Sequence, residues 1–173
     1  AGDESDAGRW FRTGDIVEQR GDEYLVFRGR RKQLLVLSTG HNVVPGPIET
    51  AVCESPLVEQ CLLVGDSRPV VATLIVPNIE AIRRRADREG VDLPTDSDRL
   101  IETDRVHEWI ESEVDSTNER VEPHERIEAV DLVDEPFSVD NGLLTPTFKK
   151  KRRRITERYA DRIDRLYRTA TNQ

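Results

Sequence analysis

The sequence predicts a small α+β domain, with a β-hairpin and a short mixed sheet of about three strands flanked by helices. Residues 58–64 and 70–76 are near-continuous apolar runs joined by the turn Gly65-Asp66-Ser67-Arg68-Pro69. They are the clearest strand signal in the chain. Residues 79–89, 98–113 and 147–169 place apolar side chains at helical spacing, with Ile155, Tyr159, Ile163 and Leu166 along one face of the last. Strands and helices are mixed without strict alternation, the pattern of an α+β domain.

In chain order, residues 1–8 are small and acidic and read as loose. Thr13-Gly14-Asp15 reads as a turn that presents a carboxylate. Ile16-Val17-Glu18, the turn Gln19-Arg20-Gly21-Asp22 and Tyr24-Leu25-Val26-Phe27 form a hairpin pattern. Arg28-Gly29-Arg30-Arg31-Lys32 should interrupt it, with four cations around a glycine free to take unusual backbone angles. A second apolar strand is expected over 33–37 and a turn over 38–42. Pro45 and Pro47 then lead into a short helix through Ile48-Glu49-Thr50-Ala51-Val52. Gly90 and Pro94 punctuate the two middle helices, and 127–133 is strand-like. There is no internal repeat and no long low-complexity linker.

Six consecutive cations, Lys149 to Arg154, stand in a chain of net charge −8; without them the other 167 residues carry −14. Thr145-Pro146 reads as an N-cap followed by proline at the first helical position, so the run falls in the opening turns of the last helix. Helix N-termini disfavour cations by roughly 0.3–1 kcal/mol each when exposed. Either an anion comes to meet the run, or it is a solvated face with local partners such as Arg153 and Glu157.

Composition narrows the class. The chain has 173 residues, 36% hydrophobic and 35% charged, which predicts one domain or one domain plus a piece of a neighbour. Lysine occurs only at 32, 149, 150 and 151. With so many acidic residues, this predicts adaptation to high salt. Cys53, Cys61 and three histidines give no zinc spacing, so no metal site is expected. The two cysteines read as small buried apolar residues in a reducing cytoplasm. No signal peptide or membrane-spanning run is present, so a cytoplasmic location is expected. The absence of any Met predicts that the chain is a piece of a longer protein.

Three stretches together carry a resemblance. They are Trp10-Phe11-Arg12-Thr13-Gly14-Asp15; Gly29-Arg30-Arg31-Lys32 with Ser38-Thr39-Gly40-His41-Asn42-Val43-Val44-Pro45-Gly46-Pro47-Ile48-Glu49; and Asn141-Gly142-Leu143-Leu144-Thr145-Pro146-Thr147-Phe148-Lys149-Lys150-Lys151-Arg152. Their order and spacing resemble the C-terminal end of AMP-forming acyl-CoA synthetases, in the superfamily of adenylate-forming enzymes. Asn-Gly-Leu-Leu-Thr-Pro-Thr followed by basic residues is most similar to the long-chain fatty acyl branch. The resemblance is dense over 9–78 and 139–168; the helical middle carries no motif.

The resemblance implies that residues 1–31 are the tail of a large N-terminal adenylation domain plus hinge, and that 32–173 are a mobile C-terminal lid domain. The implied reaction uses ATP, Mg²⁺ held mainly by the large domain, a fatty acid and CoA. Asp15 would accept hydrogen bonds from the ribose hydroxyls of ATP, and Arg30 would touch the same ribose. Lys32 falls on the hinge position, and Gly40 on a glycine whose backbone faces the pantetheine arm of CoA. Lys149 matches the adenylation lysine, bridging the fatty acid carboxylate and the α-phosphate of ATP. Lys150 to Arg154 would add a positive field.

Phe148 stands where a glycine usually precedes this lysine, and Lys150 and Lys151 lie close enough that either could take its place. Gly29 stands where relatives often carry an acidic residue. Because the phosphate loop, adenine site and acyl tunnel belong to the large domain, the chain alone is expected to be inactive. With that domain's contact surface uncovered, it is also expected to expose an apolar patch and self-associate.

Two other readings stay open: an acyl-AMP ligase with another acid or a carrier-protein acceptor, and a module binding nucleic acid or an anionic membrane through the basic run. Net charge −8, with only Phe148 and Tyr159 as nearby aromatics, disfavours the module. Nucleic acid is therefore not an expected partner, while peripheral membrane association stays open.

Overall fold

The computed structural model describes residues 13–21 and 24–170. The segment 1–8, Trp10, Phe11, Arg12 and Asp22 lie outside the described residues. Strand β1 (Asp15–Arg20) pairs antiparallel with β2 (Tyr24–Arg30), with Gly21 at φ 64° in the turn between them. The basic residues do not interrupt this hairpin. Asp15 pairs with Arg30 and Ile16 with Gly29, and a register shift between Ile16 and Val17 absorbs the extra residue.

A single 3-10 turn, Arg31–Gln33, follows, then β3 (Leu35–Val36) paired with β4 (Asn42–Val43). The strand expected over 33–37 therefore shrinks to two residues. Gln33 winds into the turn, and Leu37 is already in the loop, its N–H bonded to the His41 carbonyl at 2.9 Å.

Helix α1 (Pro45–Val52) starts on a proline, where the missing N–H costs nothing. The central sheet has the order β5 (Val58–Val64), β6 (Val71–Pro77), β7 (Ile127–Leu132), with β6 antiparallel to β5 and parallel to β7. β6 starts one residue later and β7 ends one residue earlier than expected. Along β5, Cys61 and Leu63 join one core with Val71 and Ile75, while Leu62 and Val64 join a second with Ala72, Leu74 and Val76. Both faces are covered, and that is why the strands read as apolar runs and not as alternations.

The first core packs under α1, α2 (Ile79–Glu89) and α4 (Asp104–Asn118); the second packs under Phe137, Leu143, Leu144, α5 (Arg152–Arg158) and α6 (Ala160–Ala170). Helix α2 keeps its expected bounds. Asn78 caps it by accepting from the Ala81 N–H at 3.1 Å, and Gly90 ends it at φ 67°.

The helix expected over 98–113 is two helices, α3 (Ser97–Ile101) and α4. The chain leaves helical geometry at Thr103 (φ −77°, ψ 134°), whose hydroxyl donates to the Leu100 carbonyl at 2.7 Å, and then restarts. The helix expected over 147–169 is also two, and it begins only at Arg152. Among the described residues no helix is long and apolar enough to cross a membrane.

Candidate functional site

The expected ribose-binding pair is adjacent by register. β1 and β2 place Asp15 opposite Arg30, with Arg30 Nε 3.3 Å from Asp15 Oδ1. Thr13 Oγ1 accepts from the Asp15 N–H at 3.2 Å, and the Gly14 carbonyl accepts from the Arg31 N–H at 2.8 Å. The Asp15 carboxylate is partly open to solvent and the Arg30 guanidinium largely so. The geometry thus offers a hydroxyl-bearing ligand a carboxylate acceptor with a cationic donor beside it.

Lys32 lies in the 3-10 turn that follows. That turn is held by a long Leu34 N–H to Arg31 carbonyl bond of 3.4 Å and is flanked by extended residues at both ends. Gly29 packs against Val44, because a Cβ there would fall 2.8 Å from Val44 Cγ1. Any acidic side chain at this position would displace Val44, which accounts for the glycine.

Gly40 sits at φ +87° at the tip of the β3–β4 loop, its N–H bonded to the Leu37 carbonyl at 2.9 Å, with open space where a side chain would project. The loop is anchored from the β5–β6 turn: the Ser38 N–H donates to the Arg68 carbonyl, the Ser67 N–H to the Val36 carbonyl, and the Val36 N–H to Asp66 Oδ1 at 3.1 Å. Beside Gly40, His41 stacks on His124 with ring centroids 4.7 Å apart. Sequence reasoning did not anticipate that stack, because nothing local links the two residues.

The basic run divides. The Thr145 N–H donates to the Lys149 carbonyl at 2.9 Å, Thr145 Oγ1 accepts from the Lys149 N–H at 3.0 Å, and the Thr145 carbonyl accepts from the Phe148 N–H at 2.8 Å. A Leu144–Lys150 bridge closes this tight antiparallel turn. Thr145-Pro146 is therefore a turn and not a helix start. Phe148 takes φ 58° and is 76% exposed, in the backbone region that glycine occupies most readily.

In an extended segment successive side chains point to opposite sides. Lys150 turns inward, its Nζ 2.7 Å from Glu49 Oε2 and 2.6 Å from the Cys61 carbonyl. Arg152 joins it, reaching Glu49 Oε1 and the Leu63 carbonyl, both at 2.5 Å. Glu49 is buried and also accepts from the Leu63 N–H at 2.9 Å. Arg153 pairs with Glu157, as a solvated face would. The run is thus not one positive field. Lys149 faces solvent, with no ion pair among the described residues.

Glu49, quoted in the motif without a role, is the residue that holds this arrangement. Asn141 is a second such case. It accepts from the Ser138 and Leu143 N–H groups and donates to the Pro136 carbonyl, fixing the loop before the turn.

The described contacts join Asp15 to Arg30, and Lys150 and Arg152 to Glu49. They do not bring Lys149 or Gly40 onto the Asp15–Arg30 pair. A groove of about 590 Å³ beside the 3-10 turn is lined by Gln33, Arg68, Arg152 and Tyr167 among others, and includes none of Asp15, Arg30, Gly40 and Lys149. They stand on open surface, an arrangement that needs an opposing wall to enclose a ligand. Among the described residues no group of three or more His, Cys, Asp or Glu is placed to hold a metal ion. Tyr159, one of two aromatics near the run, is buried, so it offers no stacking surface to a nucleic acid.

The AMP-binding enzyme C-terminal domain model matches residues 32–171. The chain is 33% identical over 165 residues to a long-chain-fatty-acid–CoA ligase of Mycobacterium tuberculosis, covering 91% of this chain and 26% of that protein. It is 34% identical over 168 residues to a chloroplastic long-chain-fatty-acid–[acyl-carrier-protein] ligase of Arabidopsis thaliana, covering 91% and 21%. The adenylation domain of a carboxylate reductase from Mycobacterium chelonae superposes with a TM-score of 0.73 at 28% identity, over 91% of this chain and 23% of that one. The chain spans about a quarter of the length of the curated relatives it matches. With its fold, its Thr145–Lys149 turn and these matches taken together, the chain belongs to the AMP-binding enzyme C-terminal domain family.

Proposed function

We propose that this chain is the C-terminal part of a long-chain fatty acid–CoA ligase that joins a fatty acid to AMP with release of pyrophosphate, then passes the acyl group to CoA. Lys149 is the adenylation lysine. The observation that carries this is the split between neighbours: the Lys150 ammonium is committed to Glu49, while Lys149 projects free from a turn whose backbone is fixed at both its N–H and its carbonyl. A flexible ammonium on a rigid turn can approach two anions, the fatty acid carboxylate and the α-phosphate, and stabilise the charge that builds on attack at phosphorus. Asp15 and Arg30 hold the ATP ribose, Lys32 marks the hinge, and the Gly40 backbone lines the pantetheine path. Mg²⁺ would be held by the remainder of the enzyme.

Residues 1–31 belong with the large domain and 32–173 form the lid. The family match starting at residue 32 supports this boundary. So does the outward face of the hairpin, where Val17, Leu25 and Phe27 are 49%, 69% and 60% exposed and await a covering surface. Rotation of the lid about the 3-10 turn would bring Lys149 to the nucleotide in one pose and Gly40 to CoA in the other.

A second reading has its own support: relatives include a ligase acting on acyl-carrier protein, so the acceptor could be a carrier thiol. Full-length enzyme containing this chain, given ATP, Mg²⁺ and a long-chain fatty acid, should release pyrophosphate and then form acyl-CoA. Transfer only to a carrier protein would select the second reading. Turnover by the 173 residues alone would overturn the lid assignment.

A further inference from the structure

Cys53 closes the C-terminus of α1 and is exposed, whereas Cys61 is buried on β5. Neither acts in the proposed reaction. Their sulfurs lie 3.5 Å apart, and the Cys61 thiol also donates to the Glu49 carbonyl at 3.4 Å. The Cys61 carbonyl is one of the two oxygens that hold the Lys150 ammonium. The thiol pair therefore sits directly beneath the contact that braces the Lys149 turn. The expectation that both cysteines are buried fails at Cys53.

We propose that Cys53 and Cys61 are a redox-responsive dithiol that closes to an intramolecular disulfide under a peroxide oxidant and thereby stiffens the turn carrying Lys149. One thiol reaches solvent and can meet the oxidant; the other is shielded and can meet only its neighbour. The Cys53 thiol is lowered to about 7, chiefly by its hydrogen bond with Cys61 and further by the Lys150 charge, against the opposing effect of burial. Hydrogen bonding to Cys53 and burial raise Cys61. Cys53 is thus the attacking group and Cys61 the resolving one.

The Cys53 thiolate attacks one peroxide oxygen, the O–O bond breaks and hydroxide leaves, giving a sulfenic acid on Cys53. The Cys61 sulfur attacks the sulfenic sulfur, the S–O bond breaks, and the departing hydroxide takes the Cys61 proton as water. Two thiols lose two electrons and one peroxide becomes two waters. The bond would tie the helix bearing Glu49 to the strand whose carbonyls hold Lys150 and Arg152.

The test treats the purified chain with stoichiometric hydrogen peroxide, then applies intact mass, alkylation under denaturing conditions and amide hydrogen exchange. The expected result is a loss of about 2 Da, a Cys53–Cys61 peptide linkage, and slower exchange over residues 143–151, all reversed by dithiothreitol. Cys53→Ser should abolish all three. Only sulfinic acid at Cys53, an intermolecular dimer, or two thiols still open to alkylation would overturn the proposal. So would a disulfide that leaves exchange over 143–151 unchanged. None of these readouts depends on acyl-CoA formation, so failure here is separable from failure of the proposed enzyme activity.

Discussion

Glu49 and Lys150 lie 101 residues apart in sequence and 2.7 Å apart in space, with Arg152 closing the other side of the same carboxylate. This contact joins α1 to the turn that carries Lys149, so one buried carboxylate positions a cation that it never touches.

Glu49→Gln leaves two largely buried cations facing a neutral amide. Their remaining carbonyl partners at Cys61 and Leu63 soften the loss. We expect a destabilisation of about 2–4 kcal/mol, read as a lower urea midpoint with an unchanged m-value. A change under 0.5 kcal/mol, the range of an ordinary surface substitution, would mean that the network is not what braces the turn.

Phe148 holds a left-handed backbone while gaining little from burial. Phe148→Gly should relieve this and stabilise the chain by about 1 kcal/mol, since the left-handed region costs non-glycine residues about 1–2 kcal/mol. Chemical denaturation of the two variants checks it; a loss of stability would indicate that the exposed ring has a partner.

Asp15→Asn in the full-length enzyme removes the charge from the proposed acceptor of the ribose hydroxyls while keeping its shape. A hydrogen bond to a charged group contributes about 1.5–3 kcal/mol, so KM for ATP should rise roughly 10–100-fold. An unchanged KM for ATP would detach Asp15 from the nucleotide.

Net charge −8 with only four lysines predicts self-repulsion that salt relieves. The denaturation midpoint of the chain should rise as KCl is raised from about 0.1 M, where the Debye length is about 10 Å, to about 1 M, where it is about 3 Å. A flat or falling midpoint would remove the case for adaptation to high salt.

The central sheet was legible in the sequence because burial on both faces writes itself into Leu62, Leu63, Leu74 and Ile75 as unbroken apolar runs. The Asp15–Arg30 pair was legible only as two motif positions; that they face each other follows from a register shift at Ile16 that no local pattern announces. The Lys149 turn was misread because Thr145-Pro146 satisfies the chemistry of a helix start as well as that of a turn. What settled it was backbone pairing between Leu144 and Lys150, together with the left-handed angle at Phe148, neither of which residue type encodes. Glu49 could not be singled out because its charged partners, Lys150 and Arg152, lie more than 100 residues downstream.

The most direct test compares Lys149→Ala with Lys150→Ala in the full-length enzyme, scoring each half-reaction separately. Lys149→Ala should cut adenylate formation by roughly 10²–10³ while leaving thioester formation from pre-made acyl-AMP, and the melting temperature, near those of the parent. Lys150→Ala should lower the melting temperature and reduce both half-reactions together. If Lys150→Ala instead abolishes adenylation selectively, or Lys149→Ala leaves it intact, Lys149 is not the adenylation lysine.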